Sequence, residues 1–309
     1  MKLLSIVVPC FNEENAVEIF FNEVQKSLVD YNFEIIYVND GSKDNTLDNI
    51  KKLANTNLNV KYISFSRNFG KEAALYAGLK NAHGDMVCVM DVDLQDPPCL
   101  IPKMIETIQS SNIDIVGTRR ITRKGESKLK SFFSKSFYKI FNKISNIEIY
   151  EGTRDFRLMT RQVADSLLEL SEYNRFSKGL FQWVGFETKW IEYENNERIT
   201  GETKWSYWSL CTYALDAIIS FSTVPLLILT FLGLIISLVA FILIIFVIIN
   251  TLLFSNPVKG WTSLICIILL LGGIQLFSIG IHGKYLEKTY FETKNRPIYI
   301  VCESNIDDS

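Results

Sequence analysis

From Ala217 through Val258 the chain carries no charged residue. The densest part of this stretch, VPLLILTFLGLIISLVAFILIIFVII, exceeds the ~20 residues that an α-helix needs to cross bilayer hydrocarbon. After the short NTLLFSNPVKG, a second run from Trp261 to Gly283 is uncharged apart from His282. Backbone polar groups in hydrocarbon have to be satisfied within the segment, so both runs are expected as helices, paired in a two-helix C-terminal transmembrane hairpin. Lys284, Lys288, Lys294 and Arg296 follow the second run, while the connection carries only Lys259. The positive-inside rule then puts both termini in the cytoplasm and makes the chain multi-pass. WSYWSLCTYALDAIISF, rich in Trp and Tyr, reads as an interfacial helix ahead of the first span. A mean hydropathy of +0.14 agrees with a membrane part.

The first ~115 residues follow another rule, alternating short β-branched runs with amphipathic ones. LLSIVVPC, FEIIYVND, VKYISFS and DMVCVMD read as strands. LLSIVVPCF stops at Asn12, Glu13 and Glu14 without a small-residue cleavage site, which makes it a first strand rather than a signal peptide. Between the strands lie helical patterns such as NAVEIFFNEVQKSLVD, with Val17, Phe20, Phe21, Val24 and Leu28 on one face. Such alternation predicts an α/β fold with a mostly parallel, Rossmann-like sheet, whose ligands bind beyond the carboxyl ends of the strands. The polar clusters PCFNEE, NDGSKDNT, SRNFGKE and DVDLQD sit at those four ends.

The fourth cluster poses an electrostatic problem: in VCVMDVDLQDPP a buried-looking strand runs into Asp91, Asp93 and Asp96, whose like charges repel. Two carboxylates two residues apart on an extended segment can share one hard divalent cation, Mg2+ or Mn2+, with Gln95 adding a neutral oxygen and substrate phosphates the rest. Asp96, before Pro97, reads as a helix cap. Asp40 in NDGSKDNT can accept hydrogen bonds from a base or ribose, or serve only the turn. Pro9 and Phe11 offer a wall, and Glu13 an acceptor.

Residues 117–145 hold nine Lys and Arg against a single acid, Glu126. In SKLKSFFSKSFYKIFNKIS the apolar side chains Leu129, Phe132, Phe133, Phe137, Ile140, Phe141 and Ile144 share one helical face, opposite Lys128, Lys135, Lys139 and Lys143. The pattern suits a basic amphipathic helix on a membrane surface, or a helix packed on the core. In GTRDFRLM, Asp155 lies between Arg154 and Arg157, which would depress its pKa if they face it. It can orient an acceptor, act as a base, or make a structural ion pair. Arg175 and Lys178 follow in RFSKGLFQWVGF, and Arg198, Gly201 and Lys204 in ERITGETKWS, a loop suited to clamping a phosphate or tethering to anionic lipid.

IVVPCFNEE, VNDGSKDNT, SRNFGKEAALYAGL, VMDVDLQDPP, GTRDFRLM and ERITGETKWS together resemble the polyprenyl-phosphate glycosyltransferases of glycosyltransferase family 2, a group that includes bactoprenol glucosyltransferases and is similar to dolichyl-phosphate mannose synthases. The resemblance implies a GT-A fold and inverting, metal-dependent transfer of a sugar from a UDP-sugar, with glucose or N-acetylglucosamine expected, to undecaprenyl phosphate. It would make Asp91, Asp93 and Gln95 the holders of the metal on the donor diphosphate. Pro9, Phe11, Glu13 and Asp40 would line the nucleotide pocket, and Arg198 would clamp the diphosphate. Arg119, Lys130 and Ser134, joined by Arg175 and Lys204, would receive the acceptor phosphate; Asp155, with Asp93, would carry the catalytic role. The product would supply lipid-linked sugar for the cell envelope. A homo-oligomer, such as a tetramer, and a small flippase partner are further implications.

The expected organisation is a cytoplasmic catalytic domain over 1–205, the interfacial helix and two spans over 206–285, and a cytoplasmic tail over 286–309 whose polar end, ESNIDDS, is expected to fray. A formal charge of −2 argues against nucleic-acid binding. Six cysteines without a CxxC pair and only His83 and His282 argue against zinc, and the cysteines read as reduced. A processive polysaccharide synthase is disfavoured because no QxxRW-like motif is present and two spans are too few for a polymer channel. A non-catalytic scaffold for a flippase or a second transferase is the other alternative.

Overall fold

The computed structural model describes residues 2–120, 128–150, 152–193, 207–254 and 260–306. In chain order the elements are β1 (Leu4–Cys10), α1 (Val17–Ser27), β2 (Phe33–Asn39), α2 (Thr46–Thr56), β3 (Val60–Phe65), α3 (Lys71–Lys80), β4 (Met86–Val89), α4 (Ile101–Ser110) and β5 (Ile115–Arg120). They continue as α5 (Lys128–Ile144), β6 (Thr153–Thr160), α6 (Arg161–Glu169), α7 (Ser177–Trp183), β7 (Thr188–Tyr193), α8 (Tyr207–Phe221), α9 (Val224–Phe254), α10 (Trp261–Thr293) and β8 (Val301–Ser304). The strands form one mixed sheet in the order β7-β5-β6-β4-β1-β2-β3-β8. β4, β1, β2 and β3 run parallel, as expected from their alternation with helices. β6 runs antiparallel between β4 and β5, and β8 antiparallel to β3. From β1 the chain steps outward to β2 and β3, then returns to lay β4 on β1's other side. The strand order reverses there, which opens a ligand crevice at the carboxyl ends.

Parallel strands are covered on both faces, hence their unbroken apolar runs. Ile6, Val8 and Cys10 point to the layer of α1, α2 and α4, where Val17, Phe20, Val24 and Leu28 are buried as their spacing predicts. Val7, Val38 and Val89 point to the opposite layer, against Ala73, Ala74 and Ala77 of α3, Val163 of α6 and Phe181 of α7. Helix α3 lies so close to the sheet that a Cβ on Gly78 would stand 2.2 Å from Val7 Cγ1. Gly78→Ala is therefore expected to cost about 1–3 kcal/mol through overpacking against a stiff β-branched side chain, read as a lowered denaturation midpoint.

A third cluster joins this domain to the helices that follow. Phe141 of α5, Ile149, Phe176 and Ala217 of α8 are buried together, with Phe137, Tyr138 and Phe221 around them. In the described part of α5, Phe141 thus packs inward against α8, leaving Ile140 exposed. Among the described residues, one segment, Val224–Leu243 within α9, is long and apolar enough to cross a membrane, with a mean hydropathy of 3.0. Phe231, Leu234 and Phe241 on it are more than 60% exposed, an apolar surface that asks for a nonaqueous neighbour.

Within ESNIDDS, residues 303–306 depart from the expected fraying and are held against the domain. The last turns of α10 dock on the domain: Tyr285 Oη donates to the Ser222 carbonyl at 2.7 Å, and Glu292 accepts the Tyr173 amide at 2.9 Å. Beyond them Tyr299 stacks on Phe65 with centroids 4.9 Å apart, and β8 closes the β3 edge of the sheet. Asn305 secures it by accepting the Tyr62 amide at 2.6 Å. An exposed strand edge is a pairing hazard, and this chain covers its own.

Candidate active site

All four strand-end clusters meet at one edge. The loops after β1 and β2 interlock: the Asn12 amide donates to Ser42 Oγ at 3.0 Å, and the Glu13 amide to Thr46 Oγ1 at 2.8 Å. Gly41, at φ +65°, lets the loop after β2 touch the loop after β3, because a Cβ there would lie 2.4 Å from the Arg67 carbonyl carbon. The contact seats Asp40, buried after β2, beneath the α3 N-terminus. Its carboxylate accepts the Phe69 amide at 2.6 Å and the Gly70 amide at 3.0 Å. Burial raises the Asp40 pKa, and these two amides partly offset the rise. Asp40 thereby fixes the start of α3, a job that its place in a polar turn did not reveal. Beside it, Phe11 is exposed and Pro9 and Glu13 are half-buried at the crevice wall.

Lys71, the first residue of α3, joins two carboxylates. Its Nζ lies 2.6 Å from Asp91 Oδ1, 2.9 Å from Asp91 Oδ2 and 2.6 Å from Asp155 Oδ2. Asp91 follows β4 and Asp155 lies on the neighbouring β6, where continuing the Val89–Arg157 register brings them level. Burial would raise the Asp155 pKa, but Lys71, Lys178 and Arg157 overturn this and hold the carboxyl well below the ordinary range. Burial would likewise lower the Lys71 ammonium; Asp155 and Asp91 instead hold it above the usual lysine range. The Asp155 carboxylate is therefore ionised throughout the physiological range.

Strand alternation sorts the two arginines that flank Asp155. Arg157 shares its face, fully buried, with the guanidinium carbon 4.4 Å from the Phe181 ring centroid and 5.2 Å from that of Trp190. Burial pushes its pKa down to about 10. Arg154 points the other way. Its Nη2 donates to Gln95 Oε1 at 2.9 Å, and its Nε lies 3.4 Å from Asp96 Oδ1. Tyr193, at the end of β7, also donates to Asp96. Asp96 is thus an anchor for Arg154 and Tyr193 rather than a helix cap. The turn between is strained: Leu94 is buried with φ +55°, a conformation costing a branched residue about 1–2 kcal/mol, and the Gln95 amide donates to Asp93 Oδ1 at 3.2 Å. Strain of this kind collects where a loop's shape serves a site.

The remaining candidates fall only partly within the described residues. Arg119 is half-buried at the end of β5, paired in register with Thr153. Arg175 spends its guanidinium on the α6 carboxyl end, donating to the Leu170 and Leu167 carbonyls, and stacks 4.6 Å from the Tyr76 ring centroid, away from Asp155. Arg198 and Lys204 lie outside the described residues, as do the side chains of Lys130 and Ser134. Sequence reasoning passed over Lys71 and Tyr193 and gave Lys178 no role.

Among the described residues no group of three or more His, Cys, Asp and Glu side chains is placed to hold a metal ion. Asp91 and Asp93 nevertheless fit a hard divalent cation shared with a diphosphate, since both offer carboxylate oxygen and Asp91 already faces a cationic group with both of its atoms. The Gln95 oxygen is engaged by Arg154.

Residues 5–168 match the family model "Glycosyl transferase family 2". A prophage bactoprenol glucosyl transferase homolog of Escherichia coli K12 is 47% identical over 96% of this chain and 98% of its own length. The SfII prophage-derived bactoprenol glucosyl transferase of Shigella flexneri is 46% identical over 98% of each chain. Among solved structures, a glucosyl-3-phosphoglycerate synthase of Mycobacterium tuberculosis is 15% identical, covers 71% of this chain and 76% of that chain, and has a TM-score of 0.49. With the family model matched over residues 5–168 and near full-length relatives, the chain belongs to glycosyltransferase family 2 and is a glycosyltransferase.

Proposed function

We propose that the protein transfers glucose or N-acetylglucosamine from a UDP-sugar to a polyprenyl phosphate, with inversion, at the cytoplasmic face of a membrane crossed by α9 and α10. The observation that carries this reading is the Lys71 bridge, which holds Asp91, at the donor end, beside Asp155, at the acceptor end. Relatives named bactoprenol glucosyl transferases support the acceptor class. The lipid-seeking surface of α9 supports the location.

Asp91 and Asp93 would hold Mg2+ or Mn2+, which when bound supplies positive charge against the leaving nucleoside diphosphate. Pro9, Phe11 and Glu13 would wall the nucleotide side, with the buried Asp40 holding the start of α3 beneath them. The acceptor phosphate is an anion at neutral pH and needs no strong base. Asp155 suits none: three cations hold it ionised, and it would repel a phosphate directly. Its role is to aim Lys71 and Lys178 at the space between the substrates. Arg119, with Lys130, Ser134 and Lys204 carried by the family resemblance, would complete the anion contacts, and Arg198 would close on the diphosphate. Holding both anions at the bilayer surface converts an encounter into a positioned reaction.

The test is a donor panel. Membranes bearing the full chain, supplied with undecaprenyl phosphate and each of several UDP- and GDP-sugars, should yield one monophosphate-linked lipid sugar by mass spectrometry, from UDP-glucose or UDP-N-acetylglucosamine. A lipid product from GDP-sugars alone, or none from any donor, would overturn the reading.

A further inference from the structure

Lys71 stands where a lysine is electrostatically misplaced. It occupies the first position of α3, where the helix dipole favours anions, and its amide neighbours are satisfied by Asp40. The ammonium is held there by Asp91 and Asp155, at 2.6 Å from each. It meets both oxygens of Asp91, the same atoms that a divalent cation on this carboxylate would need. The bridge is accessible: the side chains of Lys71 and Asp91 are 41% and 32% exposed. A divalent ion on this carboxylate would bring its charge against an ammonium that now occupies both oxygens, and a lysine's flexible stem lets the ammonium move.

Resting on the metal-assisted reading above, we propose that Lys71 is an internal cation that competes with the divalent metal for Asp91. It yields when a nucleoside diphosphate arrives to receive the ammonium. Metal and donor then bind as a pair, each raising the other's affinity by the same factor. Asp155 keeps part of the ammonium's charge in both arrangements, so the lysine stays at the crevice instead of leaving for solvent. Lys71 is a positioning residue of the donor site as well as a tie between α3 and β6.

The probe is Mn2+, titrated into the full-length protein in detergent micelles with and without saturating UDP and followed by the electron paramagnetic resonance signal of free Mn2+. The parent protein should bind Mn2+ about tenfold tighter with UDP than without it. Lys71→Met should bind Mn2+ alone at least about threefold tighter than the parent, and UDP, whose phosphates still add ligands to the metal, should improve that binding by a clearly smaller factor than in the parent. Lys71→Arg, which keeps the charge, should retain the UDP dependence. Asp155→Asn, which leaves the ammonium to Asp91 alone, should weaken binding of Mn2+ by itself, and it tests the idea even if Lys71→Met does not fold. Unchanged UDP dependence in Lys71→Met, or Asp155→Asn binding Mn2+ alone as tightly as the parent, would overturn the proposal while leaving the metal site standing. Failure of the parent to bind Mn2+ even with UDP would instead remove the metal reading on which it rests.

Discussion

Asp91→Asn is expected to slow sugar transfer about 10²- to 10³-fold while the protein still floats with membranes. The substitution keeps the size of the side chain and removes its charge. In the parent, Asp91 extends from the end of β4, beside the reversal of strand order, with both oxygens within 2.9 Å of a cationic nitrogen. The amide would be a poor ligand for a hard cation and a weak partner for Lys71. The fold has little to lose, because the side chain is partly exposed and contributes to neither apolar layer. Initial rates with purified variant, compared at equal protein in flotation fractions, check this. A rate within about threefold of the parent would remove Asp91 from the donor site.

Arg157→Met is expected to melt no lower than the parent and yet to transfer sugar at least about tenfold more slowly. The guanidinium is fully buried between Phe181 and Trp190, and among the described residues its Nη1 has no hydrogen-bond partner. Burying a charge with an unsatisfied nitrogen is costly, and a methionine of similar length fills the same aromatic slot without that cost. The pKa has the same sign: burial pushes it down from the ordinary arginine range to about 10, so folding opposes the charged form. That opposition is in full force at neutral pH, below both values, and fades only as pH climbs through the folded value. What the charge supplies is its field on Asp155, two residues away on the same strand face. Calorimetric melting beside initial rates reads both halves. A large drop in melting temperature would make Arg157 a structural strut; an unchanged rate would free Asp155 from its influence.

The acidic strand tip, the four polar clusters and the faces of α1 were legible because parallel strands and amphipathic helices impose short periods on the residue types themselves. Asp155 was legible as a perturbed carboxylate, but its partners were only half so. Alternation along β6 puts Arg157 on its face and Arg154 on the other, a distinction that requires knowing the segment is a strand. Lys71 escaped notice because a lysine opening a helix looks like any solvated charge; its two partners are 20 and 84 residues away. The covered sheet edge was invisible for the same reason. β8 has four residues and pairs with a strand some 240 positions earlier, so no local pattern announces it. For α5 the two-faced pattern was clear, but the pattern does not say whether Phe141 meets lipid or α8.

In the proposed reaction a divalent cation joins the acidic tip of β4 to a donor diphosphate. The most direct measurement is transfer from UDP-glucose or UDP-N-acetylglucosamine to undecaprenyl phosphate by the purified full chain in lipid nanodiscs, after exhaustive chelation and again after Mn2+ or Mg2+ is restored, with the lipid product quantified by mass spectrometry. Loss of product on chelation and recovery on adding metal, with Asp91→Asn unresponsive to the addition, is the expected result. Equal product before and after chelation would contradict it.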